Sequence, residues 1–206
     1  MKYVKITVGP LQVNSYILWS GEESCKDCVI IDPGYDGAAI SSAIAGRGLA
    51  PTHVLLTHGH YEHTGAIGYL RNKYPNIKVL SHSNDRDLLL DPVKSFAFDK
   101  IEADGFFEDG DSILVGDATL LVLHTPGHTS GSCCFYHAGA GLLFTGDTLF
   151  HESVGRHDLP TGDSGELLTS ISNKLFKLPP KTAVLPGHME DTTIEHEKAK
   201  NPYVRG

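Results

Sequence analysis

The chain has 206 residues and a formal net charge of -8, long enough for one sizeable core. The acidic balance argues against a nucleic-acid partner, which needs a basic face. No Ser/Gly tract, charge block or repeat interrupts it, so one domain spanning 1–206 is expected.

The opening "MKYVKITVGPLQVNSYILWSG" has no unbroken apolar stretch, because Lys5, Gln12 and Asn14 break it and no small-residue cleavage site follows. No run approaches the ~20 apolar residues of a membrane span. A cytoplasmic protein without a membrane partner is the expectation. "YVKITV", "NSYILW" and "DCVIID" are short, β-branched and bounded by turn residues, the pattern of strands. Within them Cys25 and Cys28 form a C-x-x-C that lacks the second pair of a zinc ribbon, and free thiols are expected throughout. "DGAAISSAIAGRG" has helical apolar spacing with a glycine stop. "THVLLT" is a strand, "GAIGYLRNKY" a helix and "IKVLSH" the next strand.

The second half repeats the scheme. "SILVG", "ATLLVLHTPGH", "SCCFYH" and "GLLFTGD" alternate strand and turn signals, with Cys133 and Cys134 reading as small apolar residues on opposite faces. "GELLTSISNKLFKLP" is an amphipathic helix, "TAVLPGH" a strand and "TTIEHEKAK" a final helix. Strands that meander and then alternate with helices, twice over, suggest an α/β four-layer αββα sandwich of two mixed sheets with helices outside. Asp32, His58, His128, Asp147 and His188 each fall just after an apolar strand, which would gather them at one edge.

Between two such elements lies "THGHYEHTG", residues 57–65. In an extended segment His58, His60 and Glu62 share one side, while His63 needs a turn to join them. The flanking glycines make a helix here unexpected, so this is not the helical H-E-x-x-H arrangement. "HTPGHTSGS" adds His128, "LLFTGDTLF" adds Asp147 and "VLPGHMED" adds His188. Five imidazoles and two carboxylates are enough for two ions with an open position, and imidazole plus carboxylate suits zinc, iron or manganese. His82, His124, His151 and His157 have no ligand spacing and read as ordinary histidines; His53 and His196 carry no functional reading.

Together with "NSYIL", "VIIDPG", "GRHDLPTGD" and "NPYVR", these motifs resemble the metallo-β-lactamase-fold hydrolases, specifically their short glyoxalase II-like (hydroxyacylglutathione hydrolase-like) branch, over nearly the whole chain. The resemblance implies one divalent metal bound by His58, His60 and His128. It implies a second bound by His63, His188 and the acid at 62, with Asp147 bridging and Asp32 supporting the ligands from behind. Two zinc ions are the expectation, with iron or manganese as alternatives. The family has aspartate where this chain has Glu62, a carboxylate roughly 1.5 Å further out. Glu62 is therefore expected either as a ligand that displaces backbone or metal, or as a swung-away base toward the attacking water. Full glyoxalase II adds a helical domain that grips glutathione; no counterpart is visible here, so the resemblance covers the hydrolytic core rather than the thiol specificity.

The implied activity is metal-assisted hydrolysis of a small-molecule thioester such as S-lactoylglutathione, with Asp147 and Glu62 in the catalytic machinery and Arg156 meeting a substrate carboxylate. No G-x-S-x-G competes with this reading. A mononuclear iron persulfide dioxygenase using His58, His128 and Asp147 is the alternative, and a lactonase differs only in substrate. A true β-lactamase is disfavoured, since that branch has a cysteine where Asp147 stands. A metal-binding scaffold without turnover is the non-enzymatic alternative.

Overall fold

The structure, a computed structural model, describes residues 1–22 and 24–205. The first half runs β1 (Lys2–Val8), β2 (Val13–Trp19), β3 (Asp27–Ile31), α1 (Gly37–Ala45), β4 (Ala50–Leu55), a single turn α2 (Tyr61–Thr64), α3 (Ile67–Lys73), β5 (Lys78–His82), two short helices α4 (Arg86–Leu90) and α5 (Pro92–Ser95), and β6 (Gly105–Phe107). The second half runs β7 (Ser112–Val115), β8 (Ala118–His124), β9 (Cys133–His137), β10 (Leu142–Gly146), a small hairpin of β11 (Leu149–Phe150) and β12 (Ser153–Val154), α6 (Ser164–Asn173), β13 (Ala183–Pro186), β14 (Thr192–Thr193) and α7 (Ile194–Lys200).

These strands form two six-stranded mixed sheets, in the orders β1-β2-β3-β4-β5-β6 and β14-β13-β10-β9-β8-β7. The first is antiparallel from β1 to β3 and parallel from β3 to β6. Its central strands are buried on both faces, which is why they read as unbroken apolar runs. Along β3, Val29 and Ile31 face the opposing sheet, while Cys28 and Ile30 face α1 and α3. Along β9, Cys133 and Phe135 fill the space between the sheets, and Cys134 and Tyr136 lie under α6. Three apolar layers thus alternate with two sheets, giving the expected αββα sandwich. Truncating a central plug such as Phe135 or Phe144 (both fully buried) to alanine would cost about 3–5 kcal/mol. All four cysteines are free.

The strand and helix expectations hold in kind, with one correction in the histidine loop. Backbone is extended only as far as His60 (φ -70°, ψ 147°), and residues 61–64 then make a helical turn. The glycines do not prevent it, because Gly59 lies before the turn and Gly65 closes it in ordinary right-handed conformation. His58 and His60 therefore share an extended phase, while Glu62 and His63 leave from the turn. Within the segment 83–107, "DPVKS" carries a readable helix start. Asp91 caps α5 by accepting from the amides of Val93 (3.1 Å) and Lys94 (3.3 Å), with Pro92 at the first helical position.

Candidate metal centre

The carboxyl ends of β3, β4, β8, β10 and β13 meet at one edge of the sandwich and carry Asp32, the 58–63 segment, His128, Asp147 and His188 to it. Two groups of ligand-type atoms form there, His58–His60–His128 and Glu62–His63–His188, each within 4.8 Å. Asp147 lies between them: its Oδ2 is 3.8 Å from His128 Nε2 and 3.5 Å from His188 Nε2, and its Oδ1 is 3.4 Å from His63 Nε2. A third grouping, Asp32–His58–His63, is explained by hydrogen bonding behind the rings rather than by a shared ion.

Asp32 is buried with φ 48° and accepts three bonds: from the Thr57 amide (2.8 Å), from Thr57 Oγ1 (2.6 Å) and from His63 Nδ1 (3.0 Å). Since the Thr57 hydroxyl hydrogen goes to Asp32, its oxygen accepts from His58 Nδ1 at 3.0 Å. His128 Nδ1 donates to the Arg156 carbonyl at 2.7 Å. This bonding network assigns the tautomers: His58 and His128 hold their protons on Nδ1 and turn bare Nε2 atoms inward, while His63 keeps a proton on Nδ1 toward Asp32 and turns Nε2 toward Asp147.

Those inward atoms provide the test of whether a metal fits. His58 Nε2 and His128 Nε2 face each other at 3.2 Å, and His60 Nδ1 lies 3.0 Å from His128 Nε2. The lone pairs of His58 and His128 set face to face repel unless a cation sits between them, and a tetrahedral zinc with Zn–N of about 2.0–2.1 Å has N–N edges of roughly 3.3 Å. His63 Nε2 and Asp147 Oδ1 are also buried without a hydrogen-bond partner among the described residues. The donor set fits divalent metal ions.

Electrostatics agree with the geometry. Burial, reinforced by the neighbouring imidazoles, holds His58 well below the ordinary histidine range and His60 down at about 3. For Asp147 burial acts upward, but His63, His188 and His128 outweigh it and the carboxyl is held below the usual range. For His63 burial acts downward, yet Asp147 and Asp32 outweigh it and raise it well above the ordinary value.

Glu62 comes from the one-turn α2 and reaches the His63–His188 group. Arg156 lines the adjoining pocket, but its guanidinium forms a fork on Asp158 (2.9 and 3.0 Å) and is 63 % exposed; the part of it touching the cluster is its carbonyl. Tyr61 lines the pocket while packing edge-on against Tyr35 and Phe98. Sequence reasoning missed Asp85, which is fully buried and ties the Gly59 amide (2.8 Å) to Thr129 Oγ1 (2.8 Å) and the Gly131 amide (2.7 Å). It joins the loop of His58 and His60 to that of His128. Its place just beyond β5 is the same strand-end signal that marks Asp32 and Asp147. The cavity over the cluster is about 900 Å³, with apolar walls of Leu11, Tyr35, Phe96, Phe150 and Leu159.

A family model described as the metallo-beta-lactamase superfamily matches residues 8–188, and the chain belongs to that superfamily of metallo-hydrolases. The fold with its histidine-rich cluster implies a divalent metal. The chain is 38 % identical to the probable metallo-hydrolase YqgX of Bacillus subtilis, covering 100 % of this chain and 99 % of that one. It is 33 % identical to hydroxyacylglutathione hydrolase GloC of Haemophilus influenzae, over 97 % of this chain and 96 % of that one. Among solved structures, the B3 metallo-beta-lactamase BLEG-1 superposes with TM-score 0.92 at 37 % identity, over 100 % of both chains. TTHA1623 in a di-iron-bound form gives 0.86 at 36 % identity, over 98 % of this chain and 100 % of that one. Among the described residues no helix is long and apolar enough to cross a membrane.

Proposed function

We propose that the chain hydrolyses a small thioester, in the manner its likeness to GloC suggests, with two divalent ions, most simply zinc, in the cluster. His58, His60 and His128 would hold one ion and Glu62, His63 and His188 the other, with Asp147 between them. Bound ions of this kind supply Lewis acidity and a water acidic enough to attack a carbonyl near neutral pH. The chain's own residues do the rest. Asp32 and the Arg156 carbonyl keep three imidazoles in the ligating tautomer, Asp147 fixes the spacing between the groups, and the Leu11–Phe150 walls offer apolar surface to an acyl chain.

The observation that carries the thioester reading is that the apolar pocket beside the cluster offers no side-chain nucleophile of the serine, cysteine or lysine kind among the described residues. That lining supports water as the nucleophile. Burial, with Tyr61 and Glu62 nearby, pushes the Tyr35 phenol up to about 12, a poor proton donor near neutral pH. A thiolate, whose conjugate acid has a pKa of about 8.5, leaves without being protonated; an amine does not. The likeness to BLEG-1 favours a second reading, hydrolysis of a β-lactam amide, whose amine is the poorer leaving group.

The test is elemental analysis of protein purified without chelators, followed by turnover of S-lactoylglutathione, simpler acyl thioesters and a chromogenic cephalosporin. Two metal equivalents and a thioester kcat/KM above about 10⁴ M⁻¹ s⁻¹ are expected. Cephalosporin turnover exceeding every thioester would select the second reading. A single iron with oxygen uptake on a persulfide would replace both with the dioxygenase chemistry.

A further inference from the structure

The hairpin after Asp147, the loop after His188 and the last helix meet on the outer side of the metal centre. Their meeting point holds a second set of ligand-type side chains outside the pocket. His151 and His196 carry their rings with centroids 5.0 Å apart and 25° between planes. The three rings of the pocket's first group stand at a similar 4.6–4.9 Å but cross at 83–86°, so the two sets share spacing and not orientation. Glu152 Oε1 is 2.9 Å from His196 Nε2 and 3.9 Å from His151 Nε2. Glu197 brings an oxygen within 4.8 Å of both imidazoles.

Two details separate this set from ordinary surface pairing. Glu197 is fully buried and accepts from the Glu152 amide (3.0 Å), Thr192 Oγ1 (2.7 Å) and Asn201 Nδ2 (2.8 Å). A carboxylate has about four acceptor positions, so one is left over. His151 Nδ1 meets Glu190 Oε1 at 2.9 Å, which leaves Nε2 for the cluster. This is the carboxylate-behind-imidazole arrangement that Asp32 makes for His63 in the pocket.

We propose that His151, His196, Glu152 and Glu197 form an additional binding site for a divalent transition ion such as zinc, with Glu190 orienting His151. Two imidazoles with two carboxylates are a borderline donor set, suited to zinc rather than to magnesium or calcium. The ion would stitch the β11–β12 turn and the post-His188 loop to α7, behind the residues that supply Asp147 and His188. This inference stands apart from the thioester reading.

The test compares zinc per chain in the wild type and in a His151→Asn/His196→Asn double variant, both equilibrated in the same zinc buffer. One equivalent fewer in the variant, with thioester turnover retained, is expected. Equal zinc in the two proteins would overturn the site, whatever the pocket occupancy. Should the double variant not fold, Glu152→Gln alters only a half-exposed carboxylate. There a tenfold or greater loss of affinity for the additional equivalent is expected, and unchanged affinity would overturn the site equally.

Discussion

Replacing Asp32 by asparagine tests the reasoning about the metal centre most directly. The substitution keeps shape, and asparagine tolerates the left-handed backbone found there (φ 48°). It removes acceptor capacity: one carboxylate oxygen becomes an NH₂ facing groups that themselves donate. With the amide oxygen kept on the Thr57 N–H (2.8 Å), the NH₂ confronts Thr57 Oγ1 and His63 Nδ1. The hydroxyl must then turn and donate to His58 Nδ1, so His58 and His63 both move their protons to Nε2, the metal-facing atoms. One buried substitution therefore spoils a ligand in each group. Loss of such a supporting residue lowers metal affinity by about 10–100-fold, or about 1.4–2.7 kcal/mol, for each ion. Conflicting buried donors cost a further ~1–3 kcal/mol of stability. Competition of stripped protein with a chromophoric chelator reads the first quantity, and thermal unfolding in chelator reads the second. Wild-type affinity for both ions in Asp32→Asn would refute the tautomer argument.

Acidification should empty the two positions unequally. Without metal His63 is held protonated by Asp147 and Asp32, so an ion must displace that proton, and affinity falls about tenfold per unit as pH drops below the His63 value. His58 and His60 are neutral at pH 7, His60 titrating only at about 3, so these two ligands face no such competition. Stepwise release as the pH falls, the ion held by His63 and His188 leaving first, is expected; simultaneous release would refute it. Glu62→Gln should weaken the His63–His188 position by tenfold or more and spare the other, read as equivalents retained after dialysis. Gly187→Ala should lose metal and about 1–3 kcal/mol of stability, because its Cβ would stand 2.8 Å from His63 Cε1 and closer still to Asp147 Oδ1. Full metal content with an unchanged melting temperature would show that the centre relaxes more freely than its packing implies.

Much of this was legible in the chain because strands buried on both faces announce themselves as apolar runs, and polar residues just past them collect at one edge. That signal alone locates Asp32, His58, His128, Asp147 and His188. It locates Asp85 too, but a single aspartate in "SHSND" has no companion motif to distinguish a brace from a turn residue. The helical turn at 61–64 was not legible, because glycine's effect depends on which side of the cap it occupies. Arg156 was visible as a cation near the site, but its fork with Asp158 depends on side-chain direction. His151 and His196 lie 45 positions apart, and only the packing of α7 against the β11–β12 turn puts their rings together.

The α2 turn also bears on how a glutamate fits at position 62, where the resemblance implies aspartate. A longer acid would demand a shift of backbone or ion if the side chain had only one direction of approach. Here the backbone has no freedom to shift: the Glu62 carbonyl packs directly onto the Cα of Gly34, and Gly65 packs onto the Gly34 carbonyl, so no Cβ fits at either glycine. The accommodation must therefore come from side-chain torsions, and the extra methylene supplies one more. Glu62 sits at the pocket rim, half-buried, and its carboxylate still falls with His63 and His188 inside the 4.8 Å group. The same pinned turn means that Glu62→Asp would draw the carboxylate back by roughly one bond length without a compensating backbone movement. Weaker binding at that position would follow, whereas tighter binding would show that the ion moves toward the acid rather than the acid toward the ion.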